Sequence, residues 1–168
     1  MGIADFIGRR GEAIAYTHLS SKFRREDLSR PYFILHHLGE KFRTFDYLVE
    51  LEDTGGTPLF FLIQVKTTRK ATTRSHSPPR LRVEVSEDDV LRMVACPIPS
   101  YVVGVHEIEE RAFIIAVHGD VTGAISSITT AHELTPDTLR KLWEEVRESW
   151  RVRDVTRSTS SFANGGGA

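Results

Sequence analysis

The segment 59–66 limits the possible folds of this chain more than any other segment. It reads Leu-Phe-Phe-Leu-Ile-Gln-Val-Lys and is almost continuously apolar, a pattern that is typical of a strand buried on both faces in the middle of a sheet. Gln64 and Lys66 interrupt the apolar run, and the alternation of a strand places both side chains on the same face. Because an unpaired polar group inside a protein is costly, the polar end of this strand is a candidate functional site.

The segment before it supplies an acid at the same place. Residues 45–51 alternate and are predicted to form a strand, and the turn signal Asp-Thr-Gly-Gly-Thr-Pro follows at 53–58. If that turn folds the two strands into a hairpin, Asp46 lies close to Gln64 and Lys66. A carboxylate and an amide oxygen suit a hard divalent cation, and a lysine can orient a water or stabilise developing negative charge.

The remaining segments predict an α/β fold with a mixed central sheet flanked by helices. Helices are predicted over 4–23, from Ser86 as an N-cap, and from Thr135-Pro136 as a cap and first helical residue. Further strands are predicted at 32–35, 81–85, 101–105 and 112–117. One domain is therefore expected over 1–157, followed by a flexible Ser/Gly-rich C-terminal tail over 158–168.

Composition and charge exclude several classes of function. No apolar run is long enough to span a membrane, and the start does not resemble a secretory signal, so a cytoplasmic location with no membrane partner is expected. The single cysteine, Cys96, excludes an internal disulfide and a cysteine-cluster metal site. The net charge of -1 excludes a globally basic nucleic-acid binder.

A local basic segment nevertheless follows the apolar strand. Residues 66–82 contain no acid and six basic side chains: Lys66, Arg69, Lys70, Arg74, Arg80 and Arg82. Most charge runs are solvated loops. This one directly follows the candidate site, which favours phosphate contacts, and Arg69, Lys70 and Arg74 are predicted to bind nucleic acid.

The motifs at the candidate site resemble those of a known superfamily. Phe45-Asp46 and Gln64-Val65-Lys66 resemble the active-site hairpin of the PD-(D/E)XK nucleases, which include restriction endonucleases and junction resolvases. Arg9-Arg10-Gly11-Glu12 resembles the glutamate-bearing first helix of that superfamily. The resemblance runs from Ile7 to about Val117, and it is to an uncharacterised branch, a domain of unknown function. It implies a restriction-endonuclease-like sheet.

The resemblance also implies an activity. The expected protein is an endonuclease that uses Mg2+ (or Mn2+) to hydrolyse phosphodiester bonds in DNA, in a defence or mobile-element setting. Asp46 would be the main metal ligand, completed by Gln64 and the carbonyl of Val65. Lys66 would position the attacking water and stabilise charge, and Glu12 would bind a second ion or that water. Most members have an acid where this chain has Gln64, so the resemblance implies a weaker metal site here.

Other interpretations remain open at these positions. Lys66 can be an ordinary strand-end lysine, Gln64 a satisfied core amide, and Glu12 part of a solvated helix face. Glu50 lies on the same strand face as Asp46 and competes with it as the metal acid. The histidines, including His36-His37, lack metal-ligand spacing and are predicted to be surface or strand residues.

Two functions from different classes therefore follow from the sequence. The first is the endonuclease, and the second is a catalytically inactive nuclease-fold module that binds nucleic acid or a protein partner. A homodimer or a partner subunit that supplies DNA targeting is compatible with either function.

Overall fold

The computed structural model describes residues 2–21, 30–39 and 42–153 of the 168-residue chain. Three helices are present in these ranges: α1 (Ile3–Leu19), α2 (Glu87–Ala95) and α3 (Pro136–Val152). Seven strands accompany them: β1 (Phe33–His37), β2 (Tyr47–Leu51), β3 (Phe60–Thr68), β4 (Arg80–Leu81), β5 (Ser100–His106), β6 (Arg111–Ala116) and β7 (Ile128–Thr129). No helix in the described ranges is long and apolar enough to span a membrane.

A five-stranded mixed sheet forms the centre of the fold. Its strand order is β1-β2-β3-β5-β6, with β3 and β5 parallel and every other neighbouring pair antiparallel. Parallel neighbours need a crossover connection, and α2 lies in the segment that joins β3 to β5. The prediction of an α/β fold with a mixed central sheet flanked by helices is confirmed, and the apolar segment at 59–66 is its middle strand.

The two faces of β3 pack against different helices. Odd-numbered residues such as Phe61 and Ile63 lie in one core cluster with residues of α1 and α3. Even-numbered Leu62 lies in a second cluster with Val90 and Met93 of α2. Each fully buried aliphatic or aromatic side chain contributes about 1.5–3 kcal/mol to folding, so this two-sided burial explains the apolar run in the sequence.

Helix α1 approaches β3 most closely at Gly11. A Cβ atom built on Gly11 would overlap the side chain of Thr67, near the end of β3. Only a residue without a side chain allows this close approach. The contact fixes the next helical residue, Glu12, near the polar end of β3.

The segment 81–85 differs from its predicted strand. Only Arg80–Leu81 forms β4, which pairs with β7 in a separate two-stranded sheet, and Val85 makes an isolated bridge to Ile125. Leu81, Val83 and Val85 are all buried. The alternation of apolar and polar residues therefore reflects an extended segment with one buried face, and this segment has no continuous strand partner. The sequence reading did not predict β7.

The helix starts agree with the sequence and one helix end does not. The Oγ of Ser86 accepts a hydrogen bond from the backbone N–H of Asp89 at 3.2 Å, and Thr135 caps α3 in the same way. Helix α1 ends at Leu19, before the predicted end at 23. The predicted tail at 158–168 and most of the polar segment 24–31 lie outside the described residues.

Candidate active site

The candidate site lies where β2 and β3 separate. Their antiparallel pairing ends at Tyr47 and Ile63, whereas β3 continues to Thr68 beside β5. Asp46 occupies the point of separation, and its backbone N–H donates to the carbonyl of Ile63 at 2.9 Å. Its Oδ2 accepts a hydrogen bond from the backbone N–H of Val65 at 2.6 Å. The carboxylate therefore takes the place of the missing strand partner at Val65.

The carbonyl of Val65 faces the same gap. Leu62 and Thr68 direct their backbone groups towards the β5 side of the strand, because Leu62 donates to Pro99 and Thr68 accepts from Glu107. In an extended strand, successive residues direct their backbone groups to opposite edges of the strand, and the N–H and the carbonyl of one residue point to the same edge. Residues an odd number of positions apart, such as Val65 and either Leu62 or Thr68, therefore face opposite edges. Val65 therefore directs its N–H and its carbonyl towards Asp46.

The Asp46 carboxylate lies among several charges. Burial raises its pKa above the usual value for aspartate, the hydrogen bond from Val65 opposes that rise, and the charge of Glu12 adds to it. The positive charges of Lys66 and His37 act in the opposite direction. Three side chains from α1, β3 and β1 thus act electrostatically on one carboxylate.

Lys66 is half-buried on β3 and lies between two acids. Its charge lowers the pKa of Asp46 and also that of Asp89, a residue of α2. Among the described residues, none forms a hydrogen bond or salt bridge with its ammonium group. An ammonium that is held near two carboxylates without direct pairing can still bind a water or a phosphate oxygen.

Gln64 is buried, and its Oε1 has no hydrogen-bond partner among the described residues. The nearby carboxylate of Asp89 accepts from the Oγ1 of Thr44 at 2.8 Å and from the Oγ of Ser86 at 3.0 Å. Burial would raise the pKa of Asp89, but the hydroxyl groups of Thr44 and Ser86, the amide of Gln64 and the charge of Lys66 outweigh burial and lower the pKa. The sequence analysis used Ser86 to place the start of this helix and did not assign Asp89 to the site.

Glu12 and His37 complete the group. The Oε2 of Glu12 lies 3.6 Å from the Nε2 of His37, and the imidazole packs edge-on against the ring of Tyr47. Burial, Glu12 and Asp46 together raise the pKa of Tyr47 to about 12. Sequence reasoning placed His37 on an ordinary strand surface and missed its position beside Asp46. The competing acid Glu50 pairs with His36 at 3.2 Å instead.

The predicted nucleic-acid contacts divide into two groups. Arg69 donates from Nε to the Oε2 of Glu107 at 2.6 Å, and Glu107 also pairs with Arg10 at 2.7 Å. The guanidinium of Arg69 is thus engaged by a buried carboxylate, which the sequence analysis did not foresee. Lys70 and Arg74 are exposed, and no described acid forms a salt bridge with either.

The oxygen atoms at the strand end fit a hard divalent cation. No group of three or more His, Cys, Asp or Glu side chains that could hold a metal occurs in the described ranges. The donors here are one carboxylate (Asp46), one amide oxygen (Gln64) and one backbone carbonyl (Val65), which are the ligand types that Mg2+ accepts. The buried, unpartnered Oε1 of Gln64 is the observation that fits best, because a cation would satisfy it.

Comparisons with known proteins give little further information. The sequence matches no protein-family model and has no significant match among curated proteins. Among solved structures, it is similar to a bacterial homing endonuclease, I-Ssp6803I, at 13% identity and a TM-score of 0.49, over 91% of this chain and 100% of the other. A similarity of this size does not establish a shared activity. The candidate site therefore depends on the residues described above.

Proposed function

We propose that this protein is a Mg2+-dependent endonuclease that hydrolyses phosphodiester bonds in DNA. The observation that carries the proposal is the buried Oε1 of Gln64, which has no hydrogen-bond partner among the described residues. Gln64 is the neighbour of Val65, whose backbone N–H donates to the carboxylate of Asp46. An isolated buried oxygen is unfavourable unless something binds it. The resemblance to nuclease motifs at these same positions supports a cation as the bound group.

Asp46, Gln64 and the carbonyl of Val65 would hold the metal. When bound, Mg2+ would act as a Lewis acid that neutralises charge on the phosphate. Burial raises the pKa of Asp46, so a proton competes for this carboxylate more strongly than for an exposed aspartate. Metal binding is then expected to release that proton and to weaken as the pH falls.

Lys66 and Glu12 would act on the substrate and on the attacking water. Hydrolysis joins the water oxygen to phosphorus and breaks the bond between phosphorus and the leaving sugar oxygen. The ammonium of Lys66 would stabilise the negative charge that develops on the phosphate oxygens. The carboxylate of Glu12 would accept a hydrogen bond from the water, and His37 would hold that carboxylate in place through their contact.

Lys70 and Arg74 would contact the DNA backbone. Both are exposed on the segment that follows β3, so a duplex that reaches Lys66 would pass close to them. Phosphate contacts of this type position a nucleic acid without reading its sequence.

A cleavage assay on several substrates tests the proposal. Purified protein is incubated with supercoiled plasmid, linear duplex, single-stranded and branched DNA in Mg2+, in Mn2+, or in EDTA. We expect the wild-type protein to cleave at least one substrate with Mg2+ or Mn2+ and none in EDTA. The Asp46→Asn protein should lose this cleavage under the same conditions. Absence of cleavage on every substrate with both metals would overturn the proposal.

A binding module is the second candidate, and the donor set favours it in one respect. Asp46 is the only acid among the three proposed ligands, whereas a tight Mg2+ site commonly has more than one carboxylate. In a binding module, Asp46→Ala would remove an acid that faces phosphate and would leave DNA affinity unchanged or improved. The two functions are separated by measuring cleavage and affinity on the same wild-type and Asp46→Ala proteins.

A further inference from the structure

We propose that residues 73–80 form a ribbon that enters the major groove of duplex DNA beside the cut, and that His76 in this ribbon selects a guanine there. This inference rests on the proposed function, because it names the part of the chain that would read the sequence of the proposed substrate. The phosphate contacts proposed for Lys70 and Arg74 position the DNA without reading its sequence. A preference for particular sequences therefore needs a further group close to Lys66.

The ribbon is closed at its base by Thr73 and Arg80. The backbone N–H of Thr73 donates to the carbonyl of Arg80 at 2.8 Å, and the N–H of Arg80 donates to the Oγ1 of Thr73 at 3.2 Å. The two residues form an antiparallel bridge, and residues 74–79 between them are all exposed. Two antiparallel segments joined in this way suit the major groove of B-DNA, which admits a two-stranded ribbon.

Several contacts fix the base of the ribbon to β7 and its neighbours. Arg80 pairs with Thr129 of β7, and its guanidinium donates to the Oγ of Ser127 at 2.9 Å and to the carbonyl of Ser127 at 2.7 Å. The N–H and the Oγ1 of Thr130 both donate to the carbonyl of Pro79, at 3.1 and 2.8 Å. Ordering a loose loop on binding costs affinity. These contacts reduce that cost, because they hold the ribbon before the DNA arrives.

Packing places the ribbon on the same face of the central sheet as Lys66. Lys66 and Gly104 are register partners in β3 and β5, and such partners direct their side chains to the same face. A Cβ atom built on Gly104 would overlap the side chain of Ile128 and contact that of Leu81. The β4–β7 sheet, which carries the ribbon, therefore covers that face next to Lys66.

This placement sets the distance from the cut at which the ribbon would read the DNA. Packed sheets lie about 10 Å apart, and DNA rises about 3.4 Å for each base pair. The ribbon would therefore reach bases within about five base pairs of a phosphate bound at Lys66.

The charge of the ribbon suits a polyanion. The segment 66–82 contains no acid, and no acid in the described ranges forms a salt bridge with Arg74 or Arg80. Uncompensated positive charge beside the proposed cleavage site favours DNA over a neutral partner.

His76 is the group in the ribbon that can read a base. Its Nδ1 lies 3.1 Å from the Oγ of Ser75 and 3.5 Å from the Oγ1 of Thr73. Since the oxygen of Thr73 already accepts from Arg80, its hydrogen is free for Nδ1, and the hydroxyl of Ser75 can donate to the same atom. When Nδ1 accepts, the hydrogen of the neutral imidazole lies on Nε2.

The Nε2 of His76 has no hydrogen-bond partner in the described part of the chain, and the residue is exposed. An N–H donor at this position matches hydrogen-bond acceptors on base edges. In the major groove guanine presents two acceptors, N7 and O6, whereas adenine presents only N7. The geometry therefore favours guanine as the base that His76 contacts.

Sequencing of cleavage products is the first test. A library of random-sequence duplexes is incubated with Mg2+ or Mn2+ and with the wild type, His76→Ala, Arg74→Ala or His118→Ala. We expect the wild type to prefer guanine about tenfold at a position within about five base pairs of the cut. His76→Ala should lose this preference, whereas Arg74→Ala should slow cleavage of all sequences alike.

His118→Ala is the matched control for His76→Ala. His118 is also an exposed histidine, but it follows β6 at the opposite end of the central sheet, where β6 pairs with the start of β5. Its substitution should leave the guanine preference unchanged. An equal loss of preference in His118→Ala would contradict the assignment to the ribbon.

A base analogue tests the contact itself without metal or cleavage. Duplexes selected by binding in EDTA are compared with the same duplexes carrying 7-deazaguanine, which lacks the N7 acceptor. Wild-type affinity should fall about fivefold on the analogue, and His76→Ala should bind both duplexes equally. Equal binding of the two duplexes by the wild type would overturn the inference.

The failure of this inference and the failure of the proposed function give different results. If the wild type cleaves DNA without a base preference, or if His76→Ala keeps the preference, only the role of the ribbon is wrong. If no duplex is cleaved with either metal, the proposed function is wrong, and the binding selection in EDTA decides the role of the ribbon by itself. A guanine preference that His76→Ala loses then supports that role, and its absence rejects it. Thermal melting of each variant confirms that the compared proteins are folded.

Discussion

Two polar clusters lie at the carboxyl ends of the parallel strands β3 and β5, and their polar groups are satisfied to different degrees. In the first, Glu107 follows β5 and pairs with both Arg10 and Arg69 at 2.6–2.7 Å. In the second, the Oε1 of Gln64 has no hydrogen-bond partner and the ammonium of Lys66 has no direct ion pair among the described residues. Among the described residues, the charged groups of the first cluster pair with one another, whereas the second cluster keeps one buried oxygen and one ammonium without a direct partner.

The difference separates a structural cluster from the one proposed to be functional. A buried acid with two cations on it fixes the position of α1 against the end of the sheet, because Arg10 belongs to α1 and Glu107 lies beside the backbone of Thr68. Native proteins leave few buried polar atoms without partners, and those few need an explanation. At Gln64 the explanation offered here is a metal ion, and the predictions that follow test it by changing one cluster and observing the other.

The largest expected effect is on catalysis at the open cluster. Lys66→Ala removes the charge that stabilises the transition state, and the single-turnover cleavage rate should fall about 10²–10³-fold. Asp46→Asn should cause a loss at least as large, because it removes the proposed anionic metal ligand. Melting temperatures are measured alongside, and both should change little because the strand end contributes little to the core.

Glu50→Gln provides the matched control for that prediction. Glu50 is an acid on β2, the strand that begins directly after Asp46, but its carboxylate pairs with His36. Its cleavage rate should stay within about threefold of the wild type, as for a surface residue outside the site. A loss equal to that of Asp46→Asn would instead make Glu50 the metal acid.

The next largest expected effect is on DNA binding. It compares Lys70 and Arg74, with which no described acid forms a salt bridge, with Arg69, which is paired with Glu107. Neutralising Lys70 and Arg74 together should weaken duplex binding and reduce the slope of log affinity against log salt by about 0.9 for each lost phosphate contact. Arg69→Ala should change that slope less and the melting temperature more, since Arg69 is engaged by Glu107. Affinity is measured in EDTA over a range of salt concentrations. Equal slopes for all three proteins would mean that this segment is a solvated loop.

The sequence alone predicted the parts of the site that depend on local pattern. The turn at 53–58 makes β2 and β3 neighbours, and Asp46 then lies at the end of their pairing, bonded to the backbone of Val65 between Gln64 and Lys66. Asp89 was missed because Ser-Glu-Asp-Asp satisfies the rules for a helix start, which gave the acid a sufficient local role. A topological signal existed: a crossover helix that follows a strand begins near the carboxyl end of that strand.

The remaining contacts could not be read from the sequence because they depend on pairing register. His37 reaches the site because β1 pairs with β2 so that His37 lies opposite Tyr47. Arg69 meets Glu107 because Thr68 and His106, the residues before them, are register partners in β3 and β5. Neither register is specified by the spacing of residues along the chain.

Stability should respond in opposite directions in the two clusters. Gln64→Met keeps the size of the side chain and removes the unpartnered oxygen, so the free energy of unfolding should stay the same or rise by up to about 1 kcal/mol. Metal binding should be lost at the same time. Glu107→Gln should lower the melting temperature while metal binding persists. Urea unfolding and Mn2+ titration of both variants check the prediction, and a clear destabilisation by Gln64→Met would show that its oxygen already has a partner.

The smallest expected effect is on the pH dependence of the free energy of unfolding. The contributions of Asp46 and Asp89 to this dependence should have opposite signs. Burial raises the folded pKa of Asp46, so the folded state retains a proton that the unfolded state has lost. Its contribution to stability is present at low pH and is lost as the pH rises from about 3.8 through the folded pKa. Burial alone would raise the folded pKa of Asp89. The interactions with Thr44, Ser86 and Gln64 outweigh burial and lower that pKa. Its contribution is present above about 3.8 and is lost as the pH falls through the folded pKa.

Urea unfolding at several pH values, without metal, measures both contributions. As the pH rises through about 3.8, the free energy of unfolding of Asp46→Asn should increase relative to the wild type, because the penalty for ionising Asp46 has been removed. The free energy of unfolding of Asp89→Asn should decrease relative to the wild type at lower pH, as the pH rises from the lowered folded pKa of Asp89 to about 3.8. Slopes of the same sign for the two variants would mean that Asp46 is not the more desolvated acid. The hydrogen bonds that hold Asp89 would then not set the charge at this strand end.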